Sequence, residues 1–216
     1  MERIISAENI FKVDSGKKIK PALDKACKVL LSGGIVAFPT ESFYGLAVDI
    51  ENEKAIEKLF TLKKRDTKNP ILIILPEIET FKEYAEDIPA QAVMLIEAFW
   101  PGGLTMLFKA SHKISPLLTA NTGKIGLRYS SHPLATALAK SIGRPVTGTS
   151  SNISGGLPCT TAKEVFDCFG VAIDLILDNG TTQGGPGSTI LDITVKPCVV
   201  LREGMVLKGD IEKIIS

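Results

Sequence analysis

The chain is poor in the residues from which most metal and covalent sites are built. It has two histidines, His112 and His132, and four scattered cysteines, Cys27, Cys159, Cys168 and Cys198, with no C-x-x-C pair. That spacing gives neither a zinc pattern nor a disulfide framework, so reduced thiols in a cytoplasmic protein are the expectation. Apolar runs such as ILIIL at 71–75 are far too short to cross a bilayer. The start, MERIISAEN, lacks the apolar core of a secretion signal. There is no G-x-G-x-x-G fingerprint, no G-K-[ST] ending, no G-x-S-x-G elbow and no H-E-x-x-H pair. Charge of one sign is missing too: 25 Lys and Arg against 24 Asp and Glu leave a formal net charge of +1. A main affinity for nucleic acid or anionic lipid through overall charge is thereby disfavoured, although local basic clusters could still take phosphates.

What remains is the composition of an ordinary globular chain: 216 residues, 44% hydrophobic and 23% charged. Leu23, Ala26, Cys27, Leu30 and Leu31 recur at helical spacing, and Gly33-Gly34 stops that helix. GIVAF follows as a buried strand, and Asn52 caps a second helix whose face carries Ile56, Leu59 and Phe60. Further strands are predicted at 71–75, 104–109, 124–129, 144–149, 174–178, 188–193 and 199–203. Further helices are predicted at 89–99, 133–142, 161–168 and 209–215. The interleaving gives an α/β class, and no internal linker divides the chain.

Four segments carry polar groups that a plain core does not need. AFPTESFYGLAVDI (37–50) interrupts a strand with Pro39, Thr40, Glu41, Ser42 and Tyr44. KKRDTKNP (63–70) gathers Lys63, Lys64, Arg65 and Lys68 at a helix C-terminus, which suits phosphates or a carboxylate, or merely complements the helix dipole. TGTSSNISGG (147–156) brings Thr149, Ser150, Ser151, Asn152 and Ser154 to one turn, fit for phosphate or ribose oxygens or for turn formation alone. NGTTQGGPGST (179–189) is either a ligand-closing loop or a long surface loop. In GLRYSSHPLA (126–135), Arg128 ends a strand, where it could clamp a carboxylate or join a surface ion pair. His132 there reads as a helix-start hydrogen-bonding residue. With no triad in sight, the inventory suits a reaction whose nucleophile comes from a substrate.

In order along about residues 20–215, these segments resemble the YrdC family, the threonylcarbamoyl-AMP synthases of tRNA modification. PTESFYGL is similar to its PTE-x-x-YGL signature, Lys63–Arg65 with Asn69-Pro70 to its K-x-R…NP element, and WPGGLT (100–105) to WPGxxT. GLRYSSHP, TSSNISG, GSTILD and LREG resemble the R-x-x-x-HP, TSANxSG, xSTxxD and arginine-glycine elements. The resemblance implies a YrdC-like single domain over 1–216, core about 20–210, with a twisted mixed β-sheet, flanking helices and a basic concave cleft. It implies condensation of L-threonine, bicarbonate or CO2 and ATP to threonylcarbamoyl-AMP and pyrophosphate, with Mg²⁺ on the phosphates rather than on protein side chains. Downstream threonylcarbamoyl-transferase proteins would then act on tRNA.

By matching position, Thr40, Arg128, Thr149 and Ser188 are implied to hold threonine. Lys63, Arg65, Asn69, Ser150, Asn152 and Arg202 are implied on ATP, with Lys63 and Arg65 catalytic. Some positions depart from the pattern. Ile74 stands where longer members have a histidine, Ser151 replaces an alanine, Ser130 a proline, and Pro158 lies where a serine is frequent. The chain resembles the short form without the further C-terminal domain. Two other readings stay open: a carbamoyl-AMP-handling module, or an RNA-binding protein with a basic concave face.

Overall fold

The computed structural model describes residues 9–13 and 19–215, so the MERIISAE start lies outside the described residues. Strand β1 (Ile10–Lys12) precedes helix α1 (Ile19–Leu31), which ends at Gly33 with φ +80. Strands β2 (Val36–Pro39) and β3 (Tyr44–Ala47) form a hairpin around the Thr40–Phe43 turn. Helix α2 (Glu53–Lys63) is capped by Asn52, whose side chain accepts from Ala55 N, as its sequence predicts. The helix stops where Lys64 turns left-handed, at φ +48.

There follow β4 (Ile73–Ile74), α3 (Phe81–Tyr84), β5 (Ala85–Glu86), α4 (Ala90–Phe99), β6 (Leu104–Ala110), α5 (Pro116–Thr119) and β7 (Lys124–Arg128). The remainder is α6 (Pro133–Ile142), β8 (Val146–Thr147), β9 (Thr149–Ser150), α7 (Ala162–Phe169), β10 (Leu175–Asp178), β11 (Thr189–Asp192), β12 (Val199–Arg202) and α8 (Lys208–Ile215).

The strands form two mixed sheets rather than the one that the resemblance implies. One runs β1-β10-β2-β3-β9; the other runs β12-β11-β6-β7-β4-β8, with β5 beside β6. The division falls at one residue. The segment RPVTGT, expected as one strand, breaks at Gly148: β8 pairs with β4 in the second sheet and β9 with β3 in the first. A Cβ at Gly148 would stand 2.7 Å from Leu72 Cδ1 and 2.8 Å from Ile74 Cγ1, so only glycine lets the crossing chain pass that close.

Alternation fixes the packing. In β2, Val36 and Phe38 face a cluster with Ala22, Ala26 and Leu30 of α1 and Leu134 and Leu138 of α6, while Ala37 faces the opposite way. The larger cluster joins both sheets through Leu46, Ile73, Met106, Leu127 and Leu191, with Ile56 and Leu59 of α2 against it. On α1, Leu31, expected on the apolar face, is exposed instead. Among the described residues, no helix is long and apolar enough to cross a membrane.

Candidate functional site

Strand ends and the loops beyond them meet around one cleft of about 880 Å³. Thr40 leaves β2, Arg128 ends β7, Ser150 ends β9, Ser188 precedes β11 and Arg202 ends β12, and all five line it. Arg65 and Asn69 line it from the loop after α2, and Thr149 from β9. Of the ten residues singled out in the sequence, eight therefore share this cleft; Lys63 and Asn152 do not line it. Among the described residues, three arginines line the cleft and no carboxylate does. Burial pulls the Arg65 and Arg202 guanidinium groups below their ordinary range, and for Arg202 the Arg128 charge adds to it. Like charges kept together at such a cost point to an anionic occupant.

Arg128 is 4% exposed. Its Nη1 lies 3.6 Å from Glu41 Oε1, and neither Arg128 Nε nor Glu41 Oε1 has a hydrogen-bond partner among the described residues. The other Glu41 oxygen accepts from Ser130 Oγ. Ser130, which departs from the family pattern, thus holds the carboxylate that faces Arg128. His132 has the role read from the sequence: its Nδ1 accepts from Leu134 N at the start of α6, and burial lowers its proton affinity.

The Arg202 guanidinium is anchored on the loop before β11. Its Nε and Nη2 donate to Ser188 O at 3.1 and 2.7 Å, and Nη2 also reaches Ser188 Oγ at 3.2 Å. Thr105, the threonine of WPGGLT, meets the same hydroxyl at 2.9 Å. Arg65 is held in a similar way, donating to Asn69 O at 3.0 Å and Pro70 O at 2.7 Å. Arg65 and Arg202 are thus oriented by backbone carbonyls, whereas Arg128 faces the Glu41 carboxylate.

Thr40 donates its hydroxyl proton to Phe43 O at 2.7 Å. The same oxygen accepts from Ser42 N at 3.3 Å and Phe43 N at 3.4 Å, so the Thr40 hydroxyl is engaged within its own turn. Tyr44 is fully buried, as expected of a packing residue, but its hydroxyl also reaches Gly180 O at 2.7 Å and so ties down the start of the glycine loop. Gly184 N donates to Ser42 O, and Gly185 and Gly187 line the cleft.

The two residues outside the lining are engaged elsewhere. Lys63 was expected on phosphates, but it is 1% exposed and its ammonium donates to Ser150 O and to Asn152 O, the latter at 2.7 Å. Burial, with Arg65 as a second cause, lowers its pKa to about 8. Lys63 O also accepts from Ser154 N at 2.9 Å, so both ends of this residue fasten the turn that carries Ser150. Asn152 was expected on the nucleotide, yet its Nδ2 donates to Ile153 O and Gly156 O and its Oδ1 accepts from Ser150 Oγ. Its side chain is engaged within the turn. Lys64 and Lys68 of the same basic run are exposed. Ile74, in place of the family histidine, is fully buried in β4 and does not line the cleft. The sequence did not single out Thr105 or the Glu41–Ser130 contact as parts of the site, because each matters only through a partner far away in the chain.

Residues 28–204 match the model of the Sua5, YciO and YrdC family, described as "Telomere recombination". The chain belongs to this family. A Pyrococcus abyssi relative named threonylcarbamoyl-AMP synthase is 36% identical over 191 residues, 88% of this chain and 56% of the relative. A Vibrio vulnificus relative of the same name is 36% identical over 184 residues, 84% of this chain and 98% of the relative. The chain therefore spans little more than half of the first relative but nearly all of the second. The crystal structure of P. abyssi Sua5 complexed with L-threonine superposes with a TM-score of 0.92 at 34% identity, covering 96% of this chain and 61% of that one.

Proposed function

We propose that the chain is a threonylcarbamoyl-AMP synthase, using L-threonine, bicarbonate or CO2, and ATP. The observation that carries this reading is a cleft lined, among the described residues, by Arg65, Arg128 and Arg202 and by no carboxylate, in a chain of this family. The threonine amine takes up CO2 to give an N-carboxylate. One of its oxygens attacks the α-phosphorus of ATP, the bond to the bridging oxygen of the β-phosphate breaks, and pyrophosphate leaves. Nothing in this sequence asks a side chain to become covalently attached; it asks for orientation and for charge stabilisation.

Arg128 takes the threonine carboxylate, and Thr40, held by its own turn, lines the threonine side. Thr149 and Ser188 complete the threonine side, and the Ser188 hydroxyl is held by Thr105 and Arg202. Arg65, Asn69 and Arg202 take the nucleotide. Lys63 and Asn152 act through the turn that they fasten.

Among the described residues no group of three or more His, Cys, Asp or Glu could hold a metal. A Mg²⁺ ion would be held by phosphate oxygens and water, and would neutralise charge on the triphosphate. The supply of product to threonylcarbamoyl-transferase proteins acting on tRNA, in the cytoplasm, belongs to the same proposal.

Pyrophosphate release from ATP, measured with and without threonine and bicarbonate, tests it. Release that needs all three substrates is expected; release indifferent to threonine would overturn the reading. Serine should replace threonine poorly but measurably, since one methyl group is worth about 1–3 kcal/mol of discrimination.

A further inference from the structure

The Ser130 hydroxyl sits inside the protein between one donor and one acceptor. Ser130 is 2% exposed. Its Oγ accepts from His132 N at 3.2 Å and lies 2.5 Å from Glu41 Oε2. A backbone N–H can only donate and a carboxylate oxygen accepts, so the hydroxyl proton points at Glu41. Among the described residues this is the only hydrogen bond of the Glu41 carboxylate, because Oε1 has none. That oxygen stops 3.6 Å from Arg128 Nη1, and Arg128 Nε likewise has no hydrogen-bond partner among the described residues. An arginine and a carboxylate that meet freely close to about 2.7–2.9 Å, commonly through two parallel bonds. Here the two side chains, 5% and 9% exposed, remain apart, and the serine tethers the acid.

On the reading that Arg128 takes the threonine carboxylate, we propose that Ser130 is a positioning residue of the amino-acid site. It holds Glu41 back from Arg128 and so leaves the guanidinium open on the cleft wall. Without the hydroxyl, Glu41 swings onto Arg128 and closes the pair, and an incoming carboxylate must first displace it. The half-formed pair balances part of the buried Arg128 charge in the free protein, yet gives way to a ligand. The proline common at this place in the family pattern has no proton to give, so the tether is particular to this chain. Its effect falls on threonine and not on the nucleotide, because Arg65 and Arg202 are held by main-chain carbonyls that Ser130 does not touch.

The test is a double-mutant cycle on the full chain: wild type, Ser130→Ala, Glu41→Gln and the two combined, with Ser130→Thr as the conservative variant. Calorimetry gives the Kd for L-threonine and for ATP, and pyrophosphate release gives kcat. Closing one more charge-assisted hydrogen bond in the free protein should weaken L-threonine by roughly tenfold in Ser130→Ala. The Kd for ATP and kcat at saturating threonine should stay near wild type. Ser130→Thr, which keeps the hydroxyl, should recover most of the threonine affinity. In the Glu41→Gln background there is no acid charge to hold back, so adding Ser130→Ala should change threonine binding little. An equal loss from Ser130→Ala in both backgrounds would mean that the serine does not act through Glu41, and would overturn the proposal. Parallel losses for threonine and ATP would overturn it too, since they mark a hydroxyl that only shapes its loop, as would unchanged threonine binding in Ser130→Ala. Wild-type pyrophosphate release indifferent to threonine would defeat the synthase reading itself. Threonine-dependent release with no threonine defect in Ser130→Ala would defeat this proposal alone.

Discussion

Arg128 and Glu41 approach to 3.6 Å inside the protein without forming a hydrogen bond, and each keeps a buried polar atom with no hydrogen-bond partner among the described residues. Removing one member of a buried ion pair strands the other, at a cost of about 3 kcal/mol. Glu41→Gln keeps an acceptor for Ser130 but takes away the charge, so the variant should melt earlier than wild type. A threonine carboxylate would restore the missing charge at Arg128. The rise in melting temperature on adding L-threonine should therefore be larger in Glu41→Gln than in wild type. Equal rises would detach Arg128 from the amino-acid carboxylate.

Arg65 is tied to the main chain of its own loop, to Asn69 O and Pro70 O, and packs no core. Arg65→Ala should leave the fold intact and remove a charge-assisted contact worth about 1.5–3 kcal/mol. Pyrophosphate release should fall at least tenfold in kcat/KM for ATP while the far-ultraviolet circular dichroism stays unchanged. Turnover near wild type would count against the phosphate role.

The buried Lys63 gives a pH signature with a definite sign. Its pKa in the folded chain is about 8, below the ordinary 10.5. Below pH 8 both states hold the proton; between about 8 and 10.5 only the unfolded chain does. Stability from this group therefore rises with pH across that window, by about 3 kcal/mol in full. Urea titrations at pH 7.5 and 9.5 should show a smaller rise for Lys63→Met than for wild type. The same variant leaves Ser150 O and Asn152 O without their donor, so its KM for ATP should increase more than its kcat falls.

Two glycines mark where chain segments touch. Gly148→Ala presses a methyl on Leu72 and Ile74 side chains and should cost about 1–3 kcal/mol. Gly204→Ala is worse placed: its Cβ would stand 2.1 Å from Gly187 O and 2.7 Å from Ser188 C, both backbone atoms that cannot rotate aside. Chemical denaturation should find Gly204→Ala the less stable of the two. Its defect should extend to nucleotide binding, because the displaced strand end carries Arg202 away from Ser188.

Much of this molecule could be read from local pattern. The helical recurrence in α1, the Asn52 cap of α2, the apolar strand leading into PTESFYGL and the His132-Pro133 helix start all follow from spacing of a few residues. So did the arginines and hydroxyls of the cleft, since each sits where a strand ends and a polar side chain has no core to enter. Other features were not written locally. Gly148 divides one apparent strand between two sheets because Leu72 and Ile74 lie against it, and those contacts come from elsewhere in the chain. Lys63 stands beside Arg65 in the sequence, yet one is drawn beneath the turn by two carbonyls and the other is left on the cleft wall. Chain chemistry decides which groups are available; only folding decides which proton is already engaged, because hydrogen-bond partners are set by distance in space and not along the chain.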